Sequence, residues 1–217
     1  MAFGDILMQL AAGFTVTLKI FFITVVLSLP LGLLVALGRM SKNRILSGIV
    51  SIYISIMRGT PLMLQLICVY FGPYYLFRVS LGTSYRMLAI YIAFAVNYAA
   101  YFGEIFRSGI QSMPKGQYEA AHILGYSRSQ TFMRIILPQV IKRILPSVSN
   151  EVITLVKDTS FAFTLSVMEM FTMAKALAAS QTSMMPLFVA GVFYYIFNFI
   201  VAKAFDIFEA KLNYYRF

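Results

Sequence analysis

Four polar side chains recur in one apolar stretch at a spacing that places them on a single face of an α-helix. When successive residues are turned by 100°, one narrow stripe contains Ser147, Glu151, Thr154 and Asp158. Two carboxylates on one stripe repel each other unless a cation lies between or near them. A lysine, arginine or histidine molecule would supply that cation, so the stripe predicts a site for a cationic small molecule.

The elements that must position these side chains are membrane-spanning helices. Of the 217 residues, 60% are hydrophobic and the mean hydropathy is +0.79, whereas about half is usual for a soluble domain. Cys68 and His122 are the only cysteine and histidine, so the sequence has neither a disulfide framework nor a cysteine or histidine metal site. The first ten residues carry Asp5 and no basic residue. We therefore expect the first apolar run to remain as a span rather than to be cleaved as a signal peptide.

Five apolar stretches are long enough to cross a bilayer. They predict an all-α polytopic membrane protein with one transmembrane domain over residues 1–217. Arg58-Gly59-Thr60-Pro61 interrupts the second stretch, because Pro61 lacks a backbone donor, and Phe71-Gly72-Pro73 is expected to end it. The expected spans are residues 12–38, 45–72, 85–107, 144–168 and 185–205, with a polar loop over 108–143.

Basic residues sort to one side of these spans. Twelve lie on one side and three on the other: Arg39, Lys42, Arg44, Arg107, Lys115, Arg128, Arg134, Lys142, Arg143, Lys203, Lys211 and Arg216 against Arg78, Arg86 and Lys175. Cytoplasmic loops carry an excess of lysine and arginine. The polar loop and the C-terminus are therefore predicted to be cytoplasmic and the N-terminus to lie outside. The net charge of +10 records orientation rather than nucleic-acid binding.

Charged residues inside a span point to function or to pairing, since each costs about 2.5–3.5 kcal/mol at the helix centre on insertion scales. Asn150, Lys157 and Thr164 form a second stripe about a third of a turn from the first. Two interpretations of Lys157 and Asp158 stay open: they bind substrate, or they pair structurally within the bundle or with a second copy of the chain. Glu151 is the stronger functional candidate.

The polar loop contains a predicted short helix that ends at a glycine. Pro114 precedes it, helix-forming residues fill positions 116–126, and Gly125 suits a left-handed C-cap. The paired alanines of Glu119-Ala120-Ala121 give a smooth surface that another protein could approach closely. An ordinary surface helix shares these local features, so the pattern alone leaves both interpretations open.

The spacing of this loop resembles the EAA motif of permease subunits of ATP-binding-cassette (ABC) importers. The motif comprises Glu119-Ala120-Ala121, three residues, Gly125, nine residues, Ile135, one residue and Leu137-Pro138. Four further segments resemble the polar amino-acid branch of these type I importers, the histidine, arginine and glutamine type. They are Arg58-Gly59-Thr60-Pro61-Leu62 with Gln65, Glu104-Ile105-Phe106-Arg107, Pro114-Lys115-Gly116-Gln117 and Lys157-Asp158-Thr159-Ser160.

The resemblance implies a permease subunit in the lipid of the bacterial inner membrane, here for polar and specifically basic amino acids. It implies three partners: ABC ATPase subunits, a second permease chain of the same or a related sequence, and an extracytoplasmic amino-acid-binding protein. The loop helix would be a coupling helix between spans 3 and 4 that docks on the ATPase through Gly116, Glu119, Ala120, Ala121, His122 and Gly125. ATP and Mg²⁺ would bind the ATPase and no cofactor this chain, which lacks a Gly-x4-Gly-Lys-Ser/Thr loop.

Three further charged residues have predicted roles. Arg58 could bind a substrate carboxylate or brace the broken second helix by donating to freed carbonyls. The resemblance favours bracing, since it implies an arginine shared among carriers of differently charged substrates.

Glu104 and Arg107 are three residues apart and are predicted to form a structural ion pair. Family members often have an uncharged residue at the position of Glu151, and this departure favours a cationic substrate.

An ion-coupled secondary transporter or channel that uses Glu151 and Asp158 for a proton or cation is the alternative function. It explains the acids but not the docking loop, and the internal repeats common in such transporters are not visible. A membrane enzyme is disfavoured, because no nucleophile–base pair or metal site stands out. A nucleic-acid binder is excluded, since the basic residues sort by membrane side.

Overall fold

In the computed structural model, which describes residues 3–79 and 81–212, the described chain is all-helical. The elements, in chain order, are α1 Phe3–Arg39, α2 Arg44–Gly59, α3 Leu62–Phe77, α4 Tyr85–Gln111, α5 Lys115–Ile123, α6 Arg128–Gln130, a π-helical turn Thr131–Ile136, α7 Leu137–Asp158, a 3-10 helix Thr159–Leu165, α8 Met170–Gln181 and α9 Met185–Lys211. Within these described residues, α1, α4 and α9 are long and apolar enough to cross a membrane, and two bent helix pairs bring the count up to five. α4 and α9 run past the predicted ends at residues 107 and 205.

α1 and α4 pack closely at the centre of the bundle. A Cβ atom at Gly32 of α1 would lie only 2.7 Å from the Cβ of Phe102 in α4. Small residues at such positions allow membrane helices to approach one another. Ile20 of α1, Phe94 of α4 and Leu155 of α7 are fully buried in one cluster, so these three helices share an apolar core.

α1 begins at Phe3 rather than at residue 12, because α8 covers its first turns. Ile6 and Leu10 are buried together with Met170 of α8. The Thr17 hydroxyl oxygen accepts a hydrogen bond from the Met170 amide at 3.2 Å. α8 itself was not predicted, since its contacts to α1 come from far away in the sequence.

The second predicted span is a sharply bent pair of helices. The axes of α2 and α3 differ by 111°, and the break lies at the predicted proline, Pro61, which is the N-cap of α3. The predicted end at residues 71–73 is wrong, because α3 continues through Pro73 to Phe77. Pro73 cannot donate to the Val69 carbonyl, and the Tyr85 hydroxyl donates to that oxygen instead at 3.3 Å.

The fourth predicted span begins earlier and breaks sooner than expected. Helical structure runs from Arg128 through the π-helical turn into α7, so the predicted loop 108–143 is largely helical. Pro138 follows this turn, and a wider turn makes room for a proline ring that would strike the carbonyl four residues earlier in a regular α-helix. At its other end α7 stops at Asp158 instead of 168. After the 3-10 helix, left-handed Ser166 leads the chain into α8 at a 60° bend.

Candidate functional site

The predicted polar stripe lies on α7. Ser147 is exposed, and the side chains of Glu151, Thr154 and Asp158 are half-buried. Glu151 and Asp158 are separated by roughly 10 Å along the helix axis, at 1.5 Å per residue. Thr164 does not keep the register of the second stripe, because it lies in the 3-10 helix, where each residue turns by about 120°.

A buried tyrosine that the sequence analysis missed holds Asp158 in place. The Tyr98 hydroxyl donates to Asp158 Oδ2 at 2.7 Å, and the Tyr98 ring stacks on Phe94 within α4. The neighbouring Lys157 is exposed and forms no ion pair with a carboxylate of the described residues. Within one chain, Asp158 therefore pairs with a neutral hydroxyl rather than with Lys157.

Arg58 lies in the last turn of α2, where its guanidinium stacks over an aromatic ring of α4. The Arg58 Cζ atom is 5.3 Å from the centroid of the Tyr101 ring. Arg58 and Glu151 are within Coulombic range of one another, although these two described side chains form no salt bridge. Arg58 thus contacts α4 and lies close enough to α7 for its charge to act on Glu151.

Two amide side chains brace the break between α2 and α3. Gln65 Nε2 donates to the Met57 carbonyl at 3.0 Å and to the Thr60 carbonyl at 3.2 Å. Asn97 Nδ2 donates to the same Met57 oxygen at 3.0 Å and to Gln65 Oε1 at 2.9 Å. Pro61 frees the Met57 carbonyl because proline has no N–H group. The bracing role that we predicted for Arg58 therefore falls to Gln65 and Asn97.

These contacts define one polar cluster between α2, α4 and α7. We use this term for Arg58, Tyr98, Tyr101, Glu151 and Asp158. Both acids of the cluster act electrostatically on Tyr101. The nearby Thr154 hydroxyl donates to the Asn150 carbonyl at 2.9 Å, which leaves its oxygen available only as an acceptor. Carboxylates, an acceptor hydroxyl and aromatic faces suit an organic cation.

The predicted loop helix is α5. Gly125 adopts φ +80°, and the Tyr126 amide donates to the Ala121 carbonyl at 3.0 Å, which is the closure expected for a left-handed glycine. Ala121 is buried against the rest of the chain. The exposed members of the predicted docking set are Gly116, Glu119, Ala120, His122 and Gly125.

A reciprocal amide pair attaches α5 to α7. Gln117 donates to Gln139 Oε1 at 2.9 Å, and Gln139 donates to Gln117 Oε1 at 2.6 Å. Beyond this attachment, Ile123 and Leu124 are 84% and 74% exposed. An open groove of about 620 Å³ lies beside α5 and is lined by Tyr118, His122, Tyr126, Ser127, Arg128 and Thr131. The exposed apolar end and the groove form a surface that a partner protein could contact.

Glu104 and Arg107 form an ion pair at the end of α4. Arg107 Nε donates to Glu104 Oε2 at 3.0 Å, and Arg107 Nη2 contacts the second carboxylate oxygen. Arg107 also donates to the Gln111 side chain. The Glu104 carboxylate is therefore paired with Arg107. It is not an acid that remains free to bind a ligand in the polar cluster.

Glu169 is a fully buried acid that the sequence analysis did not single out. Its Oε1 accepts from the Thr172 amide at 2.7 Å, and its Oε2 accepts from the Phe171 amide at 2.7 Å and from the Tyr194 hydroxyl at 3.2 Å. These bonds cap the N-terminus of α8. An acidic residue directly before a helical stretch is a known start signal, and it was the available sequence clue.

The chain matches the family described as "Binding-protein-dependent transport system inner membrane component" over residues 28–214. It is 37% identical to the nopaline transport system permease protein NocM of Agrobacterium fabrum, over 94% of this chain and 88% of NocM. It is 35% identical to the putative glutamine transport system permease protein GlnP of Rickettsia bellii, over 97% and 95% of the two chains. A crystal structure of an amino acid ABC transporter with histidines shares the fold with a TM-score of 0.86 and 29% identity, over 97% of this chain and 99% of the other. The chain therefore belongs to the family of binding-protein-dependent inner-membrane components, as a multi-pass permease subunit of an amino-acid ABC transporter.

Proposed function

We propose that this permease serves an ATP-driven importer of basic amino acids and that the α7 stripe binds their positive charges. The observation that carries the proposal is the state of Glu151: it is half-buried on a membrane helix, and no hydrogen bond or salt bridge engages it among the described residues. An acid in a span normally faces a partner or a cavity. A cationic substrate is the partner that completes this site.

The two acids of the stripe have different tasks in this proposal. A basic amino acid carries an α-ammonium group and a side-chain cation. Asp158 belongs to the Lys157-Asp158-Thr159-Ser160 segment, which resembles the family pattern, and it binds the α-ammonium group that every amino acid has. Glu151 binds the side-chain cation, with the hydroxyls of Ser147 and Thr154 beside it. The similar transporter with histidines supports this assignment, because histidine gains a positive charge when protonated.

In the same proposal, the chain makes five spans, with the N-terminus outside and the C-terminus in the cytoplasm, and α5 is the coupling helix. The distribution of lysine and arginine supports the orientation. Separate ATPase subunits bind ATP and Mg²⁺ and dock on α5, and a second permease chain and an extracytoplasmic amino-acid-binding protein complete the importer. Closure of the ATPases moves α5, and the Gln117–Gln139 pair passes that movement to α7. The spans then rock between inward and outward access.

The docking role of α5 is tested by Gly125→Val. A β-branched residue is strongly disfavoured at a φ of +80°, so we expect the end of α5 to be displaced. Co-purification of the ATPase and ATP-driven uptake should both fall about tenfold or more. Gly191→Val is the matched control, because Gly191 is exposed on α9 with open space around it. Normal ATPase binding and uptake in Gly125→Val, or uptake driven by an ion gradient without an ATPase, would refute the coupling role.

Substrate class is tested by Glu151→Gln in reconstituted importer. We expect uptake of arginine and lysine to fall about tenfold or more, because a half-buried charge partner is removed, while uptake of glutamine is unchanged. Asp158→Asn should reduce the uptake of all three amino acids. Glu209→Gln, at an exposed position of α9, is the matched control. Equal loss for all three substrates in Glu151→Gln, or no loss, would overturn the basic-substrate proposal.

A further inference from the structure

Arg58 is free to act on a ligand because other residues hold the helix break beside it. The carbonyls freed at that break accept hydrogen bonds from Gln65 and Asn97. The Arg58 side chain is exposed, and its contact in the described structure is the face of Tyr101, with Cζ 5.3 Å from the ring centroid. A guanidinium within about 6 Å of an aromatic centroid gains a cation–π attraction.

The charges around this guanidinium single out one acid. Arg58 acts electrostatically on Glu151 and on Glu104. Glu104 is already engaged by Arg107, and Asp158 accepts the Tyr98 hydroxyl. Glu151 is therefore the acid in reach of Arg58 whose side chain has no hydrogen-bond partner in the described structure.

The position over Tyr101 thus offers a cation two favourable neighbours, an aromatic face and an otherwise unpartnered carboxylate. Aromatic faces bind guanidinium and ammonium groups alike, and a nearby carboxylate adds charge attraction. This is the combination that the side chain of an arginine or lysine substrate requires. The protein's own arginine has the same chemistry as such a substrate, so the two cannot stack on the same face of the ring at once.

We propose that Tyr101 is the aromatic shelf for the substrate's side-chain cation and that Arg58 competes with the substrate for this shelf. The proposal rests on the basic-substrate function above and deepens it. A cationic substrate displaces the Arg58 guanidinium from the Tyr101 ring, and the long side chain at the end of α2 can adopt another position. Glu151 has a positive neighbour whether the Arg58 guanidinium or the substrate's cation stacks on Tyr101. A neutral substrate has no charge with which to displace Arg58.

The test is binding of radiolabelled arginine and glutamine to the complete permease–ATPase complex in nanodiscs, without the extracytoplasmic binding protein. Arg58→Gln removes the competitor, so arginine should bind about tenfold more tightly while glutamine is unchanged. Tyr101→Leu removes the shelf, so arginine should bind about tenfold more weakly, again without change for glutamine. Tyr101→Phe keeps the aromatic face and should stay within about twofold of the wild type.

Controls and opposing outcomes separate this inference from its alternatives. Arg44→Gln, at the exposed first residue of α2, is the matched control, and basal ATPase activity with a single elution peak shows that each variant is assembled. Weaker binding of both amino acids in Arg58→Gln would mean that Arg58 binds the substrate carboxylate. Unchanged arginine affinity in Arg58→Gln or in Tyr101→Leu would also overturn the inference.

The proposed function fails in a different way. It fails if the wild-type complex does not bind arginine, or if Glu151→Gln binds arginine as the wild type does. If the wild type binds arginine, Glu151→Gln loses it and Arg58→Gln changes nothing, the proposed function stands and only the competition is refuted.

Discussion

The two breaks in the membrane helices are braced by different kinds of side-chain group. Between α2 and α3, which bend by 111°, the C-terminal end of α2 leaves carbonyl oxygens that need donors. Before α8, at the 60° bend, the helix N-terminus leaves N–H groups that need acceptors. The first break takes neutral amides from Gln65 and Asn97. The second takes the carboxylate of Glu169.

This difference decides which charges remain available to a ligand. At the first break the neutral amides do the bracing, so the nearby charge of Arg58 is left to the polar cluster. At the second break the Glu169 carboxylate accepts hydrogen bonds from the N-terminus of α8 and from the Tyr194 hydroxyl, so it is not available to a ligand. An acid inside the membrane region is thus not by itself a substrate ligand: Glu169 is fully buried and satisfied, whereas Glu151 is half-buried and has no hydrogen-bond partner among the described residues.

The largest stability effect is expected at the second break, for Glu169→Ala. The substitution leaves the amides of Phe171 and Thr172 and the hydroxyl of Tyr194 without their acceptor in a buried place. We expect a loss of about 2 kcal/mol in the free energy of unfolding, measured by denaturant titration in micelles. Glu169→Gln keeps one acceptor oxygen, so it should lose about half as much. A loss below about 0.5 kcal/mol for the alanine variant would show that the cap is not what holds α8.

Local patterns in the sequence predicted the features that depend on neighbouring residues. These include the polar stripe of α7, the proline break at Pro61 and the short helix ended by Gly125. Each follows from helical periodicity or from the backbone chemistry of proline and glycine. The family and its amino-acid transport role also followed from spaced motifs.

Features that depend on distant contacts could not be predicted in this way. Pro73 looked like a helix end, but the Tyr85 hydroxyl satisfies the carbonyl that it frees. The bracing of Met57 by Asn97 joins residues far apart in the chain, and so does the bond from Tyr98 to Asp158. A single polar residue in an apolar helix gives no sign of its partner, so the polar cluster could be assembled only in three dimensions.

A smaller effect is expected at the first break, where Gln65 and Asn97 share the work. Hydrogen bonds between membrane helices average about 0.6 kcal/mol and reach about 1.7 kcal/mol. We expect Gln65→Leu to cost about 1.5 kcal/mol and Asn97→Leu about 1 kcal/mol, because Gln65 donates to two backbone carbonyls. The double variant should cost less than the sum, since the hydrogen bond from Asn97 Nδ2 to Gln65 Oε1 is already lost in either single variant.

The same unfolding titration compares the two breaks directly. Asn97→Leu combined with Glu169→Ala should be additive within about 0.5 kcal/mol, because the two sets of hydrogen bonds share no partner. Strong coupling between Asn97 and Glu169 would mean that a change at one break alters the stability of the other through α4. The two sets of hydrogen bonds would then not be independent. If the free-energy losses of Asn97→Leu and Glu169→Ala add, and only Gln65 and Asn97 are coupled, the hydrogen bonds at each break are independent of those at the other. The Arg58 side chain can then leave the Tyr101 ring without weakening the hydrogen bonds that hold either break.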